Sequence, residues 1–316
     1  MGDFFDTLED FRLYCVSFWP DLYVLIHELS PGSLWSEFSE GFCLWFHQLP
    51  AFSKFWFLFS VLAVLLTIGV KLYTKLTCGI CKSKAKLNGQ TALITGANSG
   101  IGYETALDLA KRGARVVLGC RNMDRGLEAV NKIKIESNNK NVVVQTLDLS
   151  SIASVRKSAR EFLKRERRLD ILILNAGIAL TKKYLTEDNF EVHMASNHFG
   201  HFLLTNLLVP LLVNSSMKKA NPGRIVVVSS LAHWWGKIEL DNLNSERSYD
   251  SSRVYGNTKL ANVLFTKELA RRLKNSNIIV NAIHPGAVQT GLFRHIPYFG
   301  PIFHFFAGLA IKNPKA

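Results

Sequence analysis

A chain of 316 residues with 48% hydrophobic and 20% charged side chains can bury a large α/β core, which excludes wholesale disorder. Its net charge of +13 is unevenly placed: residues 1–54 hold two basic and eight acidic side chains, and the remainder holds 36 basic against 17 acidic. No zinc-finger spacing or RNA-binding aromatic motif accompanies the charge, which sets nucleic acid aside as a partner, and five unevenly spaced cysteines exclude a disulfide framework.

Residues 1–54 are acidic and aromatic-rich, broken by Pro20, Pro31 and Pro50, and read as short interfacial helices. Phe55 to Val70 then runs without a charge between Lys54 and Lys71. With Leu72 and Tyr73 extending its apolar reach, and lysine stems able to snorkel, residues 55–73 read as a single membrane anchor. A basic linker over 74–87 follows, with Lys75, Lys82, Lys84 and Lys86 and no acid before Glu104. Positive-inside bias therefore places the large C-terminal part in the cytosol. Cys78-Gly-Ile-Cys81 lacks the second ligand pair a zinc site needs; beside an apolar run, palmitoylation is the functional alternative to two ordinary thiols.

Residues 88–316 alternate strands and helices. The pattern predicts strands at Thr91–Thr95, Arg115–Gly119, Val142–Thr146, Ile171–Leu174, Arg224–Ser229 and Ile278–Ile283. It predicts helices at Ile101–Lys111, Asp124–Ile135, Ser151–Lys164, Met194–Val213 and Val254–Leu273. Continuous Val/Ile/Leu strands separated by helices imply a doubly wound, Rossmann-like parallel sheet with helices on both faces.

Between the first strand and first helix lies Thr95-Gly96-Ala97-Asn98-Ser99-Gly100-Ile101-Gly102. Three glycines permit a tight turn, close approach of backbone to a pyrophosphate, and close helix–strand packing, and the helix N-terminus faces the phosphates. No Gly-Lys-Ser/Thr follows, which excludes a P-loop. The second strand leads into Cys120-Arg121-Asn122, with no acidic residue to hold ribose hydroxyls. Arg121 suits a 2′-phosphate, so the expected cofactor is NADP(H). Tyr255 and Lys259 stand four apart on one helix face, and Tyr255 is the only one of eight tyrosines with Lys at i+4. A cation beside a phenol is expected to lower its pKa toward neutrality, as the proton step of carbonyl reduction requires.

With these motifs, Asn175-Ala176-Gly177, Asn197-His198-Phe199-Gly200, Ser229-Ser230 and Pro285-Gly286, the chain from about Leu87 to Pro314 resembles the short-chain dehydrogenase/reductase family. Residues 197–205, 230–233 and 259–265 resemble its membrane-bound retinol dehydrogenases of the 11–14 type. The resemblance implies that Tyr255 is the general acid/base, Lys259 tunes it and contacts the nicotinamide ribose, Ser230 hydrogen-bonds the substrate oxygen, and Asn197 supports a proton relay through water. It further implies that Asp148 meets the adenine, that Asn175 and Gly177 shape the central cofactor wall, and that Pro285, Gly286 and Thr290 meet the nicotinamide. No metal is implied; His198, His201 and His233 read as structural. The implied substrate is retinol/retinal, with a steroid, fatty aldehyde or isoprenoid carbonyl as alternatives. The implied place is the endoplasmic reticulum membrane, single-pass, with the catalytic part facing the cytosol; a homo-oligomer is left open. Leu174 and Thr258 depart from the family's usual Asn and Ser. Six strands are counted before Ala316, so the sheet is expected to lack its final strand, which keeps a non-catalytic, cofactor-binding membrane module as an alternative.

Overall fold

The computed structural model describes residues 41–42, 44–76, 79, 81, 83–179, 181–217, 221–286 and 288. The readings on residues 1–40, on Cys78, on Thr290 and on a final strand lie outside them. The chain divides into two units, Met1–Gly69 and Val70–Ala316.

Helix α1 runs from Ala51 to Leu76, 26 residues, or roughly 39 Å at 1.5 Å per residue. Its stretch Ala51–Tyr73 is a candidate membrane span, with none of the apolar window buried inside the protein. Apolar side chains project on all sides, as in a helix solvated by lipid. The hydroxyls of Ser60 and Thr67 donate to the carbonyls of Trp56 and Ala63, 2.7 and 2.6 Å away, so neither needs water.

The second unit carries one parallel sheet. Its strands are β1 (Thr91–Thr95), β2 (Arg115–Cys120), β3 (Val142–Thr146), β4 (Ile171–Leu174), β5 (Gly223–Val228) and β6 (Ile278–Ile283), in the order β3-β2-β1-β4-β5-β6. The connecting helices are α2 (Gly100–Lys111), α3 (Met123–Ser137), α4 (Ile152–Arg165), α5 (Val192–Ser216) and α6 (Ser251–Arg272). All eleven elements expected from the pattern of this region are present, with ends that differ by a few residues.

Strand alternation sorts the core. Leu93 of β1 joins Phe162 of α4 and Leu204, Leu208 and Leu212 of α5 on one face. Ala92 and Ile94 join Ala106 and Ala110 of α2 and Ile133 of α3 on the other. α5 is long and apolar enough to cross a membrane, yet its leucines are spent on this core. Its N-terminal part is not regular α-helix: Ala195–Phe199 makes a π-turn, with the Gly200 N–H reaching back to the Ala195 carbonyl.

Caps set several helix starts. Asn122, Ser151 and Asp250 accept from the backbone N–H of Arg125, Ser154 and Arg253 at 2.9, 3.3 and 2.7 Å. The chain winds from β1 outward to β3, then returns past β1 to β4. That reversal opens a crevice at the carboxyl ends of β1 and β4, the place where doubly wound sheets receive ligands.

Candidate active site

The turn after β1 sits at this crevice. Gly96 has φ +65°, and a Cβ there would lie 2.9 Å from the Ala176 Cα, so conformation and contact both exclude a side chain. A Cβ on Gly102 would fall 2.5 Å from Asn175 Nδ2 and from the Gly96 carbonyl. Asn175 Nδ2 donates to the carbonyls of Thr95 and Gly96 at 2.9 and 3.3 Å. The Thr95 hydroxyl oxygen accepts the backbone N–H of Asn175 and Ala176 at 2.9 and 3.0 Å. The glycine turn and the exit of β4 are one hydrogen-bonded unit.

Ser99, at the N-cap of α2, makes no side-chain cap bond, unlike the caps of α3, α4 and α6. The first-turn N–H groups of α2 are left for an anion, and the helix dipole adds partial positive charge there. The cleft in front of them, about 390 Å³, is lined by Gly96, Asn98, Ser99, Gly100, Ile101, Arg121, Asp148, Asn175, Gly177, Ser230, Tyr255, Lys259, Pro285 and Gly286. Fourteen of the expected residues therefore meet at one cavity.

Gly102 and Asn197 stand behind the lining. Gly102 lets α2 close on the turn. Asn197 spends its amide on bracing: Nδ2 donates to the Ile178 carbonyl at 2.9 Å and to Thr258 Oγ1 at 3.1 Å, while Oδ1 accepts the Ile178 N–H at 2.8 Å. Arg125 was not anticipated, although it lines the cleft. Its signal was available in part: Arg125 lies in the first turn of the helix that opens just after Arg121. Among the described lining residues Asp148 is the one carboxylate, and its Oδ1 is held by the Ser150 N–H and hydroxyl at 2.9 and 2.6 Å. An uncapped helix start, a side-chain-free turn and two guanidinium groups fit a dinucleotide carrying phosphates.

The reactive end lies across the cleft. Lys259 is buried and donates from Nζ to the Val228 carbonyl at 3.0 Å, with Nζ 5.5 Å from the Tyr255 ring centroid. Burial pulls the Lys259 amine down to about 8. The Tyr255 phenol departs from the sequence expectation. Burial raises it above its ordinary value, and the hydrogen bond with Ser230 pulls the other way without overcoming it. Desolvation outweighs the neighbouring groups in the chain alone. Ser230 is fixed in turn: its Oγ accepts the Ala232 N–H at 3.2 Å and its carbonyl meets His233 Nδ1 at 2.6 Å. The arrangement presents two hydroxyls, one backed by a buried amine, to whatever enters beside them.

Comparison with known proteins agrees with this geometry. The profile of the short chain dehydrogenase family matches residues 90–298. Retinol dehydrogenase 11 of Homo sapiens is 45% identical over 240 residues, covering 76% of this chain and 74% of that protein. Retinol dehydrogenase 14 of Mus musculus is 46% identical over 241 residues, covering 72% and 71%. Among solved structures, the RhlG/NADP active-site complex of Pseudomonas aeruginosa aligns with TM-score 0.56 and 27% identity over 71% of this chain and 89% of that one. The 3-ketoacyl-(acyl-carrier-protein) reductase of Brucella melitensis complexed with NADH aligns with TM-score 0.56 and 27% identity over 73% and 88%.

The buried Lys259 makes a pH-dependent contribution to stability. Its folded value, about 8, lies below the roughly 10.4 of an unfolded lysine, so between them the unfolded chain binds more protons. The cost of burying the ammonium is fully present below about pH 8 and is relieved as pH rises through that window. Denaturant titration of the detergent-solubilised chain without nucleotide is expected to find Lys259→Met more stable than wild type at neutral pH. That advantage is expected to shrink toward pH 10; a difference independent of pH contradicts the assignment.

Proposed function

Because the chain belongs to the short-chain dehydrogenase family, whose members are nicotinamide-dependent oxidoreductases, we propose that it interconverts a lipophilic alcohol and its aldehyde using NADP(H), with retinol and retinal as the substrate pair. The carrying observation is the Tyr255–Ser230 pair facing the nucleotide cleft with Lys259 buried behind it. The identity to proteins named retinol dehydrogenase supports the substrate.

When bound, the cofactor supplies or accepts the hydride. Gly96, Asn98, Ser99, Gly100 and Ile101 would hold its pyrophosphate, with Gly102 letting α2 close over the turn. Arg121, joined by Arg125, would hold a 2′-phosphate, Asp148 the adenine side, and Asn175 and Gly177 the central wall. Pro285, Gly286 and Thr290 would meet the nicotinamide end, and Lys259 the ribose beside it. Ser230 donates a hydrogen bond to the substrate oxygen. Tyr255 gives its phenolic proton to the developing alkoxide in reduction and takes one from the alcohol in oxidation. A phenol held above its ordinary value stays protonated at neutral pH, the state needed for donation. Asn197 supports resupply of the proton through water to the Tyr255–Lys259 pair, by the Oδ1 lone pair that the Ile178 N–H leaves over.

Anchoring belongs to the same proposal. Residues 55–73 span the endoplasmic reticulum membrane, 74–87 link, and the catalytic part, 88–316, faces the cytosol. A substrate that partitions into the bilayer then reaches the enzyme without crossing water.

Membranes carrying the protein are expected to reduce all-trans-retinal with NADPH, and Tyr255→Phe to lose about 10²–10⁴-fold of that turnover. Cofactor binding without turnover on retinal, steroid, fatty or isoprenoid carbonyls would count against the enzyme reading. Arg121→Ala is expected to cut the preference for NADPH over NADH at least about ten-fold, from loss of one charge-assisted phosphate contact; unchanged preference removes Arg121 as the 2′-phosphate ligand. In sealed microsomes, added protease is expected to digest the catalytic part, and full protection would reverse the topology.

A further inference from the structure

His201 lies 1% exposed in α5, outside the cleft lining, between two groups that the site depends on. Its Nδ1 is 3.0 Å from the Asn197 carbonyl and its Nε2 is 2.8 Å from the Thr95 hydroxyl. Proton accounting fixes the direction of both bonds. A carbonyl only accepts, so Nδ1 carries the hydrogen. The Thr95 oxygen already accepts two backbone N–H groups, from Asn175 and Ala176, so its own hydrogen goes to Nε2. His201 is therefore neutral and locked in the Nδ1–H form. Protonating Nε2 would set a second hydrogen against a hydroxyl with no lone pair left to receive it.

Burial agrees, pulling His201 down to about 3, with Lys259 and His198 the charged or titratable groups that add to the depression. The Asn197 carbonyl is also fully used: its second donor is Asn262 Nδ2 at 3.1 Å, and Asn262 Oδ1 meets His198 Nδ1 at 3.0 Å. These side chains take a carbonyl inside the π-turn, and so fix the peptide whose side chain braces Ile178 and Thr258. Thr258 is the residue before Lys259, and its hydroxyl donates to the Tyr255 carbonyl at 2.8 Å.

We propose that His201 is a positioning residue for the Tyr255–Lys259 pair. As a permanently neutral bridge, it ties the end of β1, through Thr95, to the Asn197 peptide and thence to the helix bearing the reactive side chains. The cofactor turn and the proton-handling helix are set relative to each other through this buried imidazole. The inference rests on the reading of Tyr255 as the acid–base group.

Full-length His201→Leu, His201→Gln and wild type are compared in detergent with NADPH and all-trans-retinal. Alongside, the Tyr255 phenol is followed by ultraviolet difference titration against the same chain carrying Tyr255→Phe. His201→Leu is expected to lower kcat roughly ten- to a hundred-fold with KM for NADPH within about two-fold, the signature of lost alignment and not of lost binding. The phenol titration is expected to move up by about one unit as the Lys259 amine and Ser230 hydroxyl lose their fixed placement. His201→Gln, which can both donate to a carbonyl and accept from a hydroxyl, is expected to recover most of both effects. A folded His201→Leu with unchanged kcat and phenol titration overturns the proposal, as does a His201→Gln no better than His201→Leu. Should His201→Leu not fold, His201→Gln decides: kcat and phenol titration kept near wild type support the bridge, and a folded His201→Gln that loses both overturns it. If wild type reduces no carbonyl, the functional reading fails, while the phenol titration still decides the role of His201.

Discussion

The hydroxyl of Thr95 is the point on which the site turns. One oxygen accepts the backbone N–H groups of Asn175 and Ala176 and meets His201, and so joins the end of β1 to the exit of β4. A parallel sheet leaves its strand ends ragged, and at the reversal of strand order nothing in the ladder itself holds the two adjacent exits together. A side chain supplies that link. The glycine turn then gains its shape from the same neighbours: Gly96 presses on Ala176, Gly102 on Asn175. The crevice is a consequence of topology, but its dimensions are set by these few polar contacts.

Much of this was legible in the residues. Strands such as Thr91–Thr95 and Ile171–Leu174 are short apolar runs between helical patterns, and burial on both faces makes them so. The glycine spacing carried steric information directly. Tyr255 and Lys259 were visible because helical periodicity brings i and i+4 to one side. Arg125 is less legible because no motif marks it: it reaches the cleft as the third residue of α3, which opens directly after the Asn122 cap.

What the sequence could not show is how burial competes with charge. The spacing of Tyr255 and Lys259 suggests a phenol made acidic by its neighbour, yet enclosing both groups raises one and lowers the other. Distance along a helix says nothing of the dielectric around it. Asn197 teaches a related point: its motif marks it as part of the chemistry, while both its amide hydrogens go to bracing Ile178 and Thr258. His201, read from sequence as structural, proves to be the partner of its carbonyl. Polar residues of this kind become interpretable only when each donor and acceptor is counted.

The π-turn at Ala195–Phe199 has a bearing on how this helix can vary. One additional residue in a turn shifts the angular phase of everything after it by about 100°. The leucines at 204, 208 and 212 point into the core only because the shift has already been made by the time they are reached. A one-residue deletion in 195–199 would restore regular α-helix and rotate those three side chains off the sheet. Point changes on the outer face of α5 leave that phase alone, whereas changes in length do not. The segment between Glu191 and Gly200 is thereby fixed in residue count even where it is free in residue type.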